Sequence, residues 1–267
     1  MHEDHWLATR DIANKYREEC LLAANDTEVF KTFRQLPYIC GVIENRPAEW
    51  MPRFLGPAAE SLPDFARVCE VAAQNDTLGS PMVATENGVT IAPTTACYVL
   101  GYAQMVSLFG PLDGMHIAEI GGGYGGQAAV ITGMAACASY TIFDIPEPCA
   151  LQSVFIGKLG RAVQFVDHIT PARAEYDLVI SSCALSELDE AARLAYVAVV
   201  LSRAKRGWLA WNYAPEPTPG WIDDPRDAKT WLESAMPGRE VTIGSAMPAY
   251  QTAFGSWTQY QLFWGQK

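Results

Sequence analysis

The sequence predicts an α/β protein: a seven-stranded, mostly parallel sheet with an antiparallel C-terminal edge strand and a helical cap at the N-terminus. Three observations carry this expectation. After Pro111 short β-rich runs alternate with helical segments. A glycine-dense turn, Gly121-Gly122-Gly123-Tyr124-Gly125-Gly126, stands between the first of these runs and the helix after it. The last two runs have no helix between them, which suits a closing antiparallel hairpin.

The elements follow in order. Trp6–Leu22 mixes apolar and charged residues at helical spacing. Asp26-Thr27-Glu28 can open a second helix by capping. Arg46-Pro47 and Met51-Pro52 interrupt the chain, and Gly56-Pro57 is expected to break it again. Thr94–Phe109 reads as one long apolar helix, with Thr94 or Thr95 near its start and Gly110-Pro111 at its end. It suits either core or a homodimer contact. Strands are expected over Met115–Ile120, Tyr140–Phe143, Ala162–Val166, Tyr176–Ser181 and Gly207–Asn212, with helices near 124–137, 147–159 and 189–204. A helix near 226–235 precedes strands near 239–244 and 257–264, and Pro215–Gly220 is a loop. The change of texture divides the chain into residues 1–111 and 112–267.

Composition narrows the function. The 267 residues are 49% hydrophobic and 18% charged, so the chain buries a core and does not fit disorder. Nineteen basic against 30 acidic residues give a net charge of -11, which makes neither nucleic acid nor an anionic membrane the default partner. No run approaches the ~20 apolar residues that span a bilayer. The seven cysteines are scattered with no CxxC pair, as expected for reduced thiols in a cytoplasmic protein. No His, Asp or Glu spacing reads as a metal site.

The glycine turn is the strongest chemical signal. Gly121, Gly123 and Gly126 satisfy GxGxxG, and the turn lies at the carboxyl end of the first strand, where open α/β sheets bind ligands. Missing side chains let the backbone approach a nucleotide-like ligand. Asp144 ends the next strand, at the distance where an acid meets a ribose diol; capping the helix at Pro146 is the plainer alternative. A dinucleotide places its pyrophosphate on the helix N-terminus. Glu119, two residues before Gly121, is an awkward neighbour for that pyrophosphate. It could also serve only as a helix-dipole partner.

The run Glu119-Ile120-Gly121-Gly122-Gly123-Tyr124-Gly125 resembles motif I of class I S-adenosylmethionine-dependent methyltransferases, which bind a cationic donor without phosphate. Phe143-Asp144-Ile145-Pro146-Glu147-Pro148, Ser181–Leu188 and Leu262-Phe263-Trp264-Gly265 add a resemblance to a sugar O-methyltransferase family. The resemblance implies a Rossmann-like domain at 112–267 that holds S-adenosylmethionine through Glu119, Gly121, Gly123, Gly125, Asp144, Asp167 and Ser182. It implies a hydroxyl acceptor on a sugar or glycosylated natural product, and the helical residues 1–111 are expected to shape the acceptor region. A non-sugar oxygen or nitrogen acceptor is the alternative, and an NAD-dependent oxidoreductase a further one.

A sugar hydroxyl is a poor nucleophile while protonated, so a base near it helps. His168, directly after the third strand, has an unperturbed pKa near ~6.5 suited to that role. A loop histidine beside adenine is the alternative. Glu187 is the second choice for a base, and a dipole-compensating acid otherwise. Asn212, Tyr213 and Trp221 are candidates to position the acceptor by hydrogen bonds and flat aromatic faces.

Overall fold

The computed structural model describes residues 2–213, 222, 224–252 and 255–266. The proline-rich stretch 215–220 and Trp221 lie outside the described residues.

The N-terminal chain is helical, with one small hairpin. Helix α1 (His2–Asn25) outruns the expected segment at both ends. Asp26 then caps α2 (Thr27–Phe30), accepting hydrogen bonds from the Glu28 and Val29 amides at 2.8 and 3.2 Å. Helices α3 (Pro37–Val42), α4 (Met51–Ser61) and α5 (Phe65–Ala73) follow.

The break expected at Gly56-Pro57 does not occur, since α4 runs through both residues. Met51, Phe54, Leu55 and Ala58 are buried along one face of α4, and Pro57 is exposed on the other. Burying the larger of these side chains contributes ~1.5–3 kcal/mol each. Together they outweigh the ~3 kcal/mol that an interior proline costs.

Strands β1 (Ala84–Glu86) and β2 (Val89–Ile91) pair antiparallel around Asn87-Gly88, both at positive φ. Asn-Gly is the residue pair that such a two-residue turn selects, although only helices were expected in this part of the chain. Helix α6 (Pro93–Phe109) closes the segment. It is buried on nearly every face, which makes it a core helix.

The alternating part runs β3 (His116–Ile120), α7 (Gly126–Met134), β4 (Ser139–Phe143), α8 (Pro146–Lys158), β5 (Gln164–Val166), β6 (Tyr176–Ser182), α9 (Ala184–Glu187), α10 (Glu190–Val199), β7 (Ala204–Tyr213), α11 (Pro225–Ala235), β8 (Thr242–Thr252) and β9 (Gly255–Trp264). The helix expected to reach 204 stops at Val199, and β7 already starts at Ala204. Strand β8 extends well beyond the expected 239–244, through Pro248. Proline is tolerated there because β8 is the outermost strand and needs no donor on its free side.

The sheet order is β5-β4-β3-β6-β7-β9-β8. The strands from β5 to β7 are parallel. Strand β9 is antiparallel to both β7 and β8, so the antiparallel strand sits one place in from the edge.

The chain forms two compact units. One comprises the chain up to Ser107 with Gly123–Ala135 and Pro146–Ala162. In it α8 lies against α1 and α7 against α5, and Phe33, Tyr124 and Phe155 meet edge-on at its centre. The other comprises Leu108–Gly122, Ala136–Ile145 and the chain from Val163. Its core joins sheet residues such as Ile120, Val179, Leu209, Trp211 and Leu262 to Leu185, Val197 and Leu232 of the helices. The fully buried Trp211 also donates its indole N–H to the Ile222 carbonyl at 2.7 Å.

Candidate functional site

From β3 the chain winds to β4 and β5 on one side, then crosses to β6 and β7 on the other. Strands β3 and β6 are therefore neighbours whose carboxyl ends lead away in opposite directions. A crevice at such a switch point is where open α/β sheets hold ligands.

The turn after β3 begins with Gly121 at φ +75°, a backbone that L side chains rarely adopt. A Cβ there would stand 2.1 Å from the Ala184 Cβ, so the space beside β6 admits only glycine. The Gly121 amide continues the sheet ladder by donating to the Phe143 carbonyl at 2.8 Å. Asp144, half-buried, turns its carboxylate into this turn: Oδ2 accepts from the Gly122 amide at 2.9 Å and Oδ1 from the Ile145 amide at 2.8 Å. A carboxylate carries about four lone-pair sites, two on each oxygen, and so accepts more than one donor on each.

Glu119 is 2% exposed, and its Oε2 accepts from the Tyr140 hydroxyl at 2.8 Å. Burial pushes its carboxyl up to about 8; the Tyr140 hydrogen bond offsets part of this, and the Asp144 charge adds to it. Two acids thus share the base of the turn. Segments 120–125, 144–149, 167–172 and 182–189, which follow β3, β4, β5 and β6, contain no lysine or arginine. The Asp144 carboxylate carries the negative charge there, and Glu119 can add a second only by releasing its proton.

Gly123 and Gly125 occupy the second half of the turn, at φ +58° and +97°, and Gly125 precedes the first residue of α7. Asp167 and His168 follow β5, the outermost strand on that side of the sheet. Both side chains are more than half exposed, and the His168 Nδ1 lies 2.7 Å from the Asp167 Oδ1. That hydrogen bond, offset in part by desolvation, lowers the Asp167 carboxyl below its usual value.

Beyond β6 a polar cluster forms. Ser182 ends the strand, and Glu187 is the last residue of the four-residue α9. The Glu187 Oε1 accepts from the Asn212 Nδ2 at 2.6 Å, and the Asn212 Oδ1 accepts from the Gln259 Nε2 at 3.3 Å. Asn212 and Gln259 are both buried, face each other across β7 and β9, and orient the Glu187 carboxylate through aligned amide dipoles. Tyr213 is the last residue of β7.

Three residues here escape a reading of the sequence. Gln259 comes from the closing strand, and only the register Asn212↔Gln259 brings it in. The Ser181 hydroxyl donates to the Ile120 carbonyl at 2.9 Å and fixes the end of β3 to the end of β6. Cys183, at φ +73°, begins the connection after β6 and meets the Gln259 amide through its sulfur. Its place inside the distinctive Ser181–Leu188 run was the available signal. No disulfide joins any of the seven cysteines.

Among the described residues no three His, Cys, Asp or Glu side chains gather into a metal-holding group, and no helix is long and apolar enough to cross a membrane.

No protein-family model and no curated protein matches the chain. Solved structures do. An RNA-methyltransferase candidate from Pyrococcus horikoshii is 15% identical, covering 75% of this chain and 98% of its own, at a TM-score of 0.50. The magnesium protoporphyrin IX methyltransferase of Synechocystis PCC 6803, with bound S-adenosylmethionine, is 18% identical over 58% of this chain and 72% of its own, at 0.44. A pyocyanin biosynthetic protein is 16% identical over 63% of this chain, which spans 56% of that protein, also at 0.44. At 15% identity the likeness to the Pyrococcus horikoshii protein shows a shared Rossmann-like fold and nothing further.

Proposed function

We propose that the protein is an S-adenosylmethionine-dependent methyltransferase that acts on a hydroxyl of a small molecule, with a sugar or glycosylated natural product as acceptor. The observation that carries this reading is the Asp144 carboxylate bonded into a glycine-rich turn at the switch point of the sheet. The residues fit the donor. Asp144 offers lone pairs to a ribose diol, and Gly121, Gly123 and Gly125 leave backbone rather than side chains along the turn. Ser182 ends the neighbouring strand. The Asp144 carboxylate beside the turn, with no lysine or arginine in the segments after β3 to β6, and a Glu119 carboxyl that gains a charge on releasing its proton, favour a ligand that carries an ammonium and a sulfonium over a dinucleotide.

When bound, the donor supplies a methyl group already activated on sulfur, and the chain's remaining work is alignment, exclusion of water and removal of one proton. Asp167 and His168 follow β5, two strand spacings or roughly 10 Å from β3. We assign them to the adenine end of the ligand. Glu187, beside the crevice and held by Asn212, is better placed to take the acceptor proton. We assign acceptor positioning to Asn212 and, on the sequence alone, to Tyr213 and Trp221, and acceptor choice to residues 1–111. The sugar preference rests on the sequence resemblance.

The test is calorimetric titration with S-adenosylhomocysteine, followed by mass-spectrometric screening of a sugar and glycoside panel for methylated products. Asp144→Ala should weaken S-adenosylhomocysteine at least tenfold, since a charge-assisted pair of hydrogen bonds contributes roughly 1.5–3 kcal/mol. Tight binding of NADH with no heat from either adenosyl ligand would overturn the reading.

A further inference from the structure

The second half of the glycine turn, Gly123–Gly126, belongs to the same compact unit as the N-terminal helices. Three buried polar side chains of that unit hold it. Gln152, fully buried on α8, donates its amide Nε2–H to the Gly123 carbonyl at 3.0 Å. Asn75, 1% exposed, donates to the Gly126 carbonyl at 2.9 Å. The Tyr124 ring between them is fully buried, with the Arg34 guanidinium 4.8 Å from its centre. Arg34 is itself fixed by Glu44 at 2.6 Å and Asp76 at 2.7 Å, and it donates to the Asn75 carbonyl at 3.2 Å. The chain of contacts is continuous: acids hold Arg34, Arg34 holds Asn75 and Tyr124, and Asn75 with Gln152 holds the turn.

A glycine-rich turn is otherwise the segment with the most conformational freedom to lose on binding. Carbonyl and amide point to opposite sides of a trans peptide. Fixing the Gly123 oxygen on Gln152 therefore sets the direction of the Tyr124 N–H on the other side.

We infer that Gln152 is a positioning residue for the methyl-donor turn, the direct hold of a clamp that Asn75 and Arg34 complete from the N-terminal helices. The clamp gives these helices a part in donor binding, apart from any role toward the acceptor. The inference rests on the reading of the turn as the donor site.

Two variants test it on the full chain, Gln152→Leu and Gln152→Glu. S-adenosylhomocysteine is titrated at pH 5.5 and 8.5, each against the wild type at the same pH, with folding checked by circular dichroism. Hydrogen exchange of the amides over Gly123–Ala128 is followed without ligand. Leucine fills the volume but donates nothing, so affinity should fall at least tenfold at both pH values, and the turn amides should exchange at least tenfold faster. Burial at this site favours the protonated form of a glutamic acid, which donates as the amide does, so affinity should stay near wild type at pH 5.5 and fall at least tenfold at pH 8.5 once the proton is lost. A role in packing alone predicts that Gln152→Leu, which keeps the volume, leaves both the exchange of the turn amides and the affinity near wild type.

A folded Gln152→Leu protein with unchanged exchange over the turn and unchanged affinity overturns the clamp. Wild-type protein that gives no heat with S-adenosylhomocysteine overturns the donor reading instead. In that case the exchange data still decide whether Gln152 holds the turn.

Discussion

Glu119→Gln should make the protein more stable at alkaline pH and leave it nearly unchanged in acid. The wild-type carboxyl sits 2% exposed and is raised from 4.5 to about 8, chiefly by burial. Between those values the folded state holds a proton that the unfolded state has released, so wild-type stability falls as pH rises through the window and levels off above it. Each pH unit crossed inside that window costs the folded state about 1.4 kcal/mol, so between pH 5 and pH 9 the wild type should lose on the order of 4 kcal/mol relative to the variant. Glutamine still accepts from the Tyr140 hydroxyl, which keeps the hydrogen bond of 2.8 Å out of the comparison. Urea unfolding of both proteins at unit steps from pH 5 to pH 9 measures the difference directly. A gap between them that is the same at every pH would refute the burial argument.

The same carboxyl links donor binding to protons. If it meets the ligand's ammonium, binding at pH 7 should release close to ~1 proton, and affinity should rise about tenfold per pH unit up to about 8; calorimetry in buffers of different ionisation enthalpy would expose this, and a buffer-independent heat would count against the contact. Gly121→Ala forces a Cβ onto a backbone at φ +75° and to within 2.1 Å of the Ala184 Cβ. It should cost about 2–4 kcal/mol in urea unfolding and abolish S-adenosylhomocysteine binding, whereas a variant of wild-type stability would mean that the turn relaxes freely.

What could be read without coordinates was local or periodic. The strand and helix alternation after Pro111, the cap at Asp26 and the glycine turn all announce themselves within about ten residues, because propensity, capping and turn chemistry act over that range. Asp144 was also legible, since a βαβ unit fixes how far a second strand end lies from the first. Two local signals were outweighed or passed over. Gly56-Pro57 lost to the buried face of Met51, Phe54, Leu55 and Ala58, and Asn87-Gly88 marked a hairpin too short to show a strand pattern.

Tertiary structure decided the rest. That Glu119 is buried against Tyr140 depends on the register of β3 with β4. That Asn212 and Gln259 orient Glu187 depends on a closing strand entering beside β7. That Gln152, Asn75 and Arg34 hold the turn depends on residues brought together from across the chain. A sequence specifies which residues can donate, accept or carry charge. Which of them meet, and at what dielectric, is set by packing over distances that no local pattern encodes.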